Sequence, residues 1–286
     1  MSGTTPGALA PADEVLPEPE QLWAEIDAWA VPPAAITLWW LFQAGFVVKS
    51  PGGTMLAIDP YLSDAVTRSY HQARAVPALL DPGAVRLDAV LASHSHEDHL
   101  DPDSILPFAR WPATRFVGPP MVADKVVAAG VPRERTVALR RGEEVQLGDV
   151  SVRAAHARHP FAPEPVPDAV GFVVEAGPVS LYHGGDTEYD AENVADSSGV
   201  TVSLVPINGT AGNMNAYEAA MLAWRQGARL AVPMHYRLWG PGGYGEGATL
   251  DPGLFVDTYR RLAPEGRTLV LQPGRAVTVD ADGNVS

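Results

Sequence analysis

The chain has no cysteine, which excludes disulfide frameworks, zinc ribbons and thiol nucleophiles and leaves nitrogen and oxygen as the only donors for a metal. Positive charge is scarce too, with 20 lysines and arginines against 34 acids and a formal net charge of −14. Binding along a phosphate backbone rests on neutralisation by Lys and Arg, so a nucleic-acid partner is not expected. No apolar run is long enough to span a bilayer. Residues 1–20 (MSGTTPGALAPADEVLPEPE) lack the basic segment and apolar core of a signal peptide. The expectation is a cytoplasmic protein that meets a small-molecule substrate and no membrane.

What is present suits a globular enzyme: 286 residues, 46% of them hydrophobic, can bury a sizeable core. Residues 1–20, rich in Pro, Gly, Ala and acid, read as a disordered or draped extension, and residues 21–286 as one domain without internal repeats. Leu22, Trp23, Ile26 and Trp29 fall at helical spacing before Pro32 and Pro33, which ends a short helix. Residues 36–42, 46–49 and 55–59 read as three strands in a meander, and residues 63–80 as an irregular stretch. A buried strand over 85–91 follows, then helices at 103–110 and 121–129 around a strand at 114–118. Strands at 136–139, 144–147, 150–155, 170–175, 179–183 and 200–206 lead to Asn215 and Glu218, a capping box that opens a helix closed by Gly227. A strand at 229–234, a helix at 252–262 and strands at 268–271 and 276–279 complete the chain. Groups of strands followed by helices, twice over, favour an α/β fold with two sheets face to face and helices outside, a four-layer αββα sandwich.

The chemistry gathers at residues 92–101 (ASHSHEDHLD), where three imidazoles and three carboxylates follow an apolar run. His94 and His96 are two apart, so on extended chain they point the same way, while Asp98 and His99 lie past a bend and can face the same cavity. Three more strand ends deliver ligand-type side chains: His156, Asp186 after Gly184 and Gly185, and His235. If these ends share one rim, His94, His96 and His156 can hold one cation, Asp98, His99 and His235 a second, and Asp186 can bridge them. His159 is a rival to His156, which is preferred because it comes directly off its strand. The expected cofactors are two divalent ions, zinc or manganese, with iron also compatible with the donors. Asp98 and Asp186 are the carboxylates with a catalytic role, His183 a buried supporting histidine and Thr187 a possible donor to Asp186.

The HxHxDH pattern at His94 to His99, with His156, Asp186 and His235 after it, resembles the metallo-β-lactamase superfamily. Within it the chain is similar to the L-ascorbate-6-phosphate lactonase branch, through LWWL at 38–41, Gly45, KSPGGT at 49–54, LDAVLA at 87–92, GVPRER at 130–135, SLYHGGD at 180–186, VPMH at 232–235 and Trp239. The resemblance implies the αββα fold, a cytoplasmic metal-dependent lactone hydrolase and a homo-oligomer. The chain departs from that branch around residues 63–74, after His156 and at its C-terminus, where pockets are shaped. The expected reaction is opening of a lactone or related cyclic ester or amide; the alternative is hydrolysis of a small phosphodiester at the same dinuclear site. Arg68, His71, Arg74, Arg158, His159 and Tyr236 are the candidates for substrate recognition.

Overall fold

The run ITLWWLF is apolar without alternation because its strand is buried on both faces. In β1 (Ala35–Trp40), Ile36, Leu38 and Trp40 join the core between the sheets, while Trp39 joins a second cluster on the opposite face. The fold was obtained as a computed structural model that describes residues 15–159, 165–240 and 242–286. The expected extension over 1–20 therefore lies mostly outside the described residues. Its last two residues already belong to α1 (Pro19–Ala28), whose buried Leu22 and Ile26 each contribute about 2 kcal/mol relative to exposure. The C-terminal carbonyls of α1 at Ile26 and Asp27 accept from Lys49 Nζ at 2.9 and 2.8 Å.

From β1 the chain meanders through β2 (Phe46–Lys49) and β3 (Met55–Ile58), all antiparallel. It then crosses by α2 (Ala65–Tyr70) to β4 (Ala89–Leu91), by α3 (Pro102–Ala109) to β5 (Arg115–Gly118), and by α4 (Pro120–Ala128) to β6 (Thr136–Ala138), each strand parallel to the last. The second half repeats this plan. An antiparallel set, β7 (Glu144–Leu147), β8 (Val150–His156), β9 (Val170–Ala176) and β10 (Val179–His183), leads by α5 (Ala191–Asp196) to parallel β11 (Val202–Pro206). Then α6 (Ala216–Gln226) and β12 (Leu230–Met234) follow, with α7 (Pro252–Leu262) and β13 (Arg267–Thr268) after them. Finally β14 (Ala276–Asp280) returns to pair with β1.

Two seven-stranded sheets result, ordered β14-β1-β2-β3-β4-β5-β6 and β13-β12-β11-β10-β9-β8-β7. Between them lie Ile58, Leu91, Phe172 and Leu181; α1, α3 and α4 cover the first sheet through Ile26, Ile105, Phe108 and Val126, and α6 and α7 cover the second. The expected four layers are present. Asn215 and Glu218 form the anticipated capping box of α6, and Gly227 closes it at φ 67°. Among the described residues no helix is long and apolar enough to cross a membrane.

Three local expectations are corrected. Only residues 89–91 of the expected strand at 85–91 pair in the sheet; Val85 and Leu87 are buried against the helical layer, which is where their apolar character comes from. The stretch at 63–80 is not wholly irregular, since α2 occupies Ala65–Tyr70, opened by Ser63 Oγ accepting from Ala65 N at 3.1 Å. α5 was not anticipated: at six residues it is too short to show a helical period.

Candidate metal centre

Asp59, the residue after β3, organises the site from below, although as a lone acid before Pro60 it also reads in the sequence as a turn residue. It is fully buried and accepts from Ser93 N at 2.7 Å, Ser93 Oγ at 2.6 Å and His99 Nδ1 at 2.7 Å. Burial works against its charge, but His99 and Ser93 outweigh that and hold its carboxyl below the usual range. Ser93 has one hydroxyl proton and gives it to Asp59. Its oxygen is thus left to accept from His94 Nδ1, 3.0 Å away. Both imidazoles therefore carry a proton on Nδ1 and turn Nε2 toward the common centre.

Around that centre the donors converge. His94 Nε2 lies 2.9 Å from His96 Nδ1, and His159 Nε2 lies 3.3 Å from the same atom. His99 Nε2 stands 3.3 Å and His235 Nε2 2.9 Å from Asp186 Oδ1, while Asp186 Oδ2 is 3.7 Å from His159 Nε2. Asp98 Oδ2 is 3.7 Å from His99 Nε2 and accepts from Gln43 Nε2 at 2.5 Å. Around this centre three groups hold their ligand atoms within 4.8 Å of one another, namely His94, His96 and His159; His94, His99 and Asp186; and Asp98, His99 and His235; a fourth such group is His156, Asp190 and Glu192.

This set fits divalent cations. His99 Nε2 and Asp186 Oδ1 are buried without a hydrogen-bond partner, although they face one another across 3.3 Å. Burial alone would discharge His99, yet Asp186, Asp98 and Asp59 raise its pKa well above the ordinary value. Since Nδ1 is committed to Asp59, the surroundings favour positive charge at Nε2, which a cation supplies. For Asp186 burial is likewise outweighed, by His235 and His99, and its carboxyl sits well below the usual range. His94 moves the other way, pushed well down by burial and by His99, and so offers a neutral ring.

The backbone is shaped to make this meeting possible. Gln43, Asp59 and His235 adopt left-handed conformations at φ 49°, 47° and 64° without being glycine, a strain that concentrates at functional sites. The pair Gln43 and His235 is tied by His235 N donating to Gln43 O at 2.9 Å. At Gly185, φ is 59° and a Cβ would lie 2.6 Å from that of Ser93, so only glycine lets the Asp186 loop come this close.

The preference for His156 over His159 is corrected. His156 is still inside the β8–β9 ladder, opposite Val170, and its ring sits 3.6 Å from Asp190 and 3.3 Å from Glu192. Arg141 binds Asp196 there at 2.7 and 3.0 Å, so His156 belongs to a surface ion network around α5. Three more residues of extended chain, about 10 Å, are needed to reach the rim. Arg158 N donating to Thr187 Oγ1 at 2.9 Å, and Glu188 N to Arg158 O at 2.9 Å, fix that extension and deliver His159. Thr187 thus holds the chain beside His159 and is not a donor to Asp186. Replacing His159 by Ala should lower turnover by about 10²-fold or more with loss of metal, while His156→Ala stays within about threefold; metal content and initial rates of both variants check this.

The remaining substrate candidates lie elsewhere. Arg68 pairs with Asp103 on the surface and His71 ends α2 in solvent. Arg158 pairs with Glu188, and Arg74 donates to the carbonyls of Tyr61, Val76 and Pro77. Tyr236 is buried against Trp40 at a centroid distance of 5.0 Å. The cleft beside the metal centre, ≈ 270 Å³, is instead lined by His96, Asp98 and Asp186 on one side and by Asn208, Asn213 and Trp239 on others.

His183 supports the centre as expected. Its Nε2–H donates to Ala44 O at 2.8 Å and its Nδ1 accepts from Gly185 N at 3.2 Å, which uses both nitrogens of the neutral ring. Burial, partly offset by Asp59, lowers its pKa. Unfolded, it titrates near about 6.5, so below that pH the unfolded state takes up a proton that the folded state refuses. The stabilisation is complete above that value and is lost as pH falls toward the folded pKa. His183→Gln should therefore flatten the fall of Tm as pH drops below about 6.5; an unchanged slope would contradict the assignment.

A family model described as the beta-lactamase superfamily domain matches residues 54–236, well over half of the chain. The probable L-ascorbate-6-phosphate lactonase of Escherichia coli is 26% identical over 259 residues, covering 75% of this chain and 73% of that one. Among solved structures, Igni18, a metallo hydrolase from Ignicoccus hospitalis, aligns with a TM-score of 0.65 at 22% identity over 85% of this chain and 98% of its own. CmlA, a diiron β-hydroxylase from Streptomyces venezuelae, aligns with a TM-score of 0.61 at 15% identity over 87% of this chain and 55% of its own. The likeness to these two structures is one of fold, and their differing activities mean that the fold alone does not decide a reaction. The matched region contains every member of the His/Asp cluster, and on that footing the chain belongs to the metallo-β-lactamase superfamily.

Proposed function

We propose that the protein opens a lactone, or a related cyclic ester or amide, by hydrolysis. That it is a metal-dependent hydrolase follows from its family and its clustered His and Asp donors. The observation that carries the finer reading is the placing of Asp186 between the two groups of imidazoles at the floor of the cleft, together with the 26% identity to the lactonase.

His94, His96 and His159 would hold one divalent ion and Asp98, His99 and His235 the other, with Asp186 shared. Zinc and manganese suit these donors, as does iron. Such ions bring the pKa of a coordinated water toward neutrality and polarise the carbonyl under attack. The chain's own part is to position and to handle protons. Asp59 and Ser93 fix the tautomers of His99 and His94. Gln43 Nε2 holds one oxygen of Asp98. Asp98 is 22% exposed and lines the cleft, whereas Asp186 is 7% exposed. Asp98 is thus the carboxylate able to carry a proton between the reacting atoms and solvent. Val66, Trp239 and Tyr244 give the cleft an apolar wall that keeps bulk water from the reacting carbonyl.

Initial rates of metal-loaded protein on a panel of lactones, cyclic amides and small phosphodiesters test the reading. Ring opening with a kcat/KM at least about 10²-fold above that for any phosphodiester is expected. The reverse order would replace it with phosphodiester hydrolysis.

A further inference from the structure

Among the carboxamides that line the cleft, Asn208 Oδ1, Asn213 Oδ1 and Asn213 Nδ2 have no hydrogen-bond partner among the described residues. Both carboxamides are buried, Asn208 to 2% and Asn213 to 7% exposure. A buried amide without a partner is costly in an unliganded fold, so an unpaired one beside a reaction centre marks where a ligand's polar group belongs. Their loop, between β11 and α6, is held from several sides. Gly209 N donates to Met214 O at 2.9 Å, Met214 N to Thr187 O at 3.0 Å, and Thr249 N to Asn208 O at 3.0 Å. Ala211 in the same loop is forced to φ 53°. The amides are therefore presented on rigid backbone, as recognition groups need to be.

The cleft also lacks something. No lysine or arginine is among its lining residues, while Glu97, Asp98 and Asp186 all are. The stretches outside the described residues, 1–14, 160–164 and 241, contain no lysine or arginine in their sequence. The chain has two lysines, and both are engaged elsewhere: Lys49 at the end of α1 and Lys125 on Ser95 O at 2.9 Å. Nearby arginines are committed as well, Arg68 to Asp103, Arg158 to Glu188 and Arg74 to backbone carbonyls. A phosphate dianion placed away from the reacting carbonyl would be desolvated among carboxylates with no cation to meet it.

We infer that the cleft selects an uncharged, small, partly apolar carbonyl compound, that the carboxamide of Asn213 reads a neutral donor-acceptor group on it, such as a hydroxyl or amide, and that the phosphorylated form of the same compound is refused. This rests on the ring-opening reading for the reaction but not for the binding. It separates the chain from the relative whose name carries a phosphorylated substrate.

The test uses a matched pair, 5-(hydroxymethyl)-γ-butyrolactone and its phosphate monoester, on the metal-loaded full chain. The neutral ring should be processed with a kcat/KM at least about tenfold above its phosphate ester. Asn213→Ala should raise KM for the neutral ring about tenfold with kcat within about twofold. Its Tm should be unchanged or higher, because the amide has no partner to lose among the described residues; a structural role would lower Tm and leave KM alone. Ligand-observed NMR of both compounds reads binding whether or not the ring opens. A neutral ring that binds more tightly but is not hydrolysed sinks ring opening and keeps this proposal. A phosphate ester bound or processed equally well, binding of neither compound, or an unchanged KM in Asn213→Ala overturns it.

Discussion

Asp186→Asn is expected to abolish practical turnover, with a loss of about 10³-fold or more in kcat/KM. The substitution keeps the shape of the side chain and removes one charge and one acceptor oxygen. Asp186 Oδ1 approaches His235 and His99, and Oδ2 approaches His159, so this carboxylate touches ligand atoms from both groups. An amide cannot offer two anionic oxygens to two cations, so at least one of the proposed ions would lose a ligand. A metal ion stabilises charge in the transition state by several kcal/mol, and about 4 kcal/mol corresponds to about 10³ in rate. Titration of metal into the variant, beside its initial rates, separates the two contributions. Undiminished turnover would mean that Asp186 is a turn residue and not a bridge.

A second large effect is expected at Asp59, which touches no substrate. Asp59→Asn replaces an acceptor-only group by one that must aim an NH₂ at either Ser93 or His99. If it faces His99, the ring either loses its Nδ1 partner or exchanges tautomer, and the exchanged tautomer puts a proton on Nε2 where a metal is to bind. Loss of such a partner behind a metal-binding histidine lowers metal affinity or activity by about 10- to 100-fold. Stability should fall as well, because Asp59 is fully buried and accepts three hydrogen bonds from Ser93 and His99. Breaking a buried charged pair costs about 3 kcal/mol or more, which at this chain length lowers Tm by roughly 6 °C or more. Calorimetry of the metal-free variant and metal titration of the holoprotein measure the two effects. A variant with wild-type Tm and metal affinity would remove Asp59 from the account.

Much of this was readable in the chain because ligand-type side chains that leave strand ends announce themselves by the apolar run before them. His94, His96, Asp98, His99, Asp186 and His235 all follow that rule and meet at one rim. The same rule misled at His156, where the end of hydrophobic alternation precedes the rim by three residues and the true reach of the chain depends on the hydrogen bonds that Arg158 makes with Thr187 and Glu188. Asp59 follows the rule as well: it closes the apolar strand MLAI in β3, parallel to β4, which leads to His94. Its role was hidden because a lone acid before Pro60 also fits a turn. Gln43, Asn208 and Asn213 could not be found this way. Nothing in their local sequence separates a carboxamide that caps a loop from one left unpaired beside a cleft, and that difference exists only after distant strands have packed.

Anomalous scattering at the metal edges from crystals of the holoprotein shows whether this rim binds two cations. Two peaks per chain are expected, one bound by His94, His96 and His159 and the other by Asp98, His99 and His235, with Asp186 between them. No peak at this rim, or a peak only at His156, Asp190 and Glu192, would contradict that assignment.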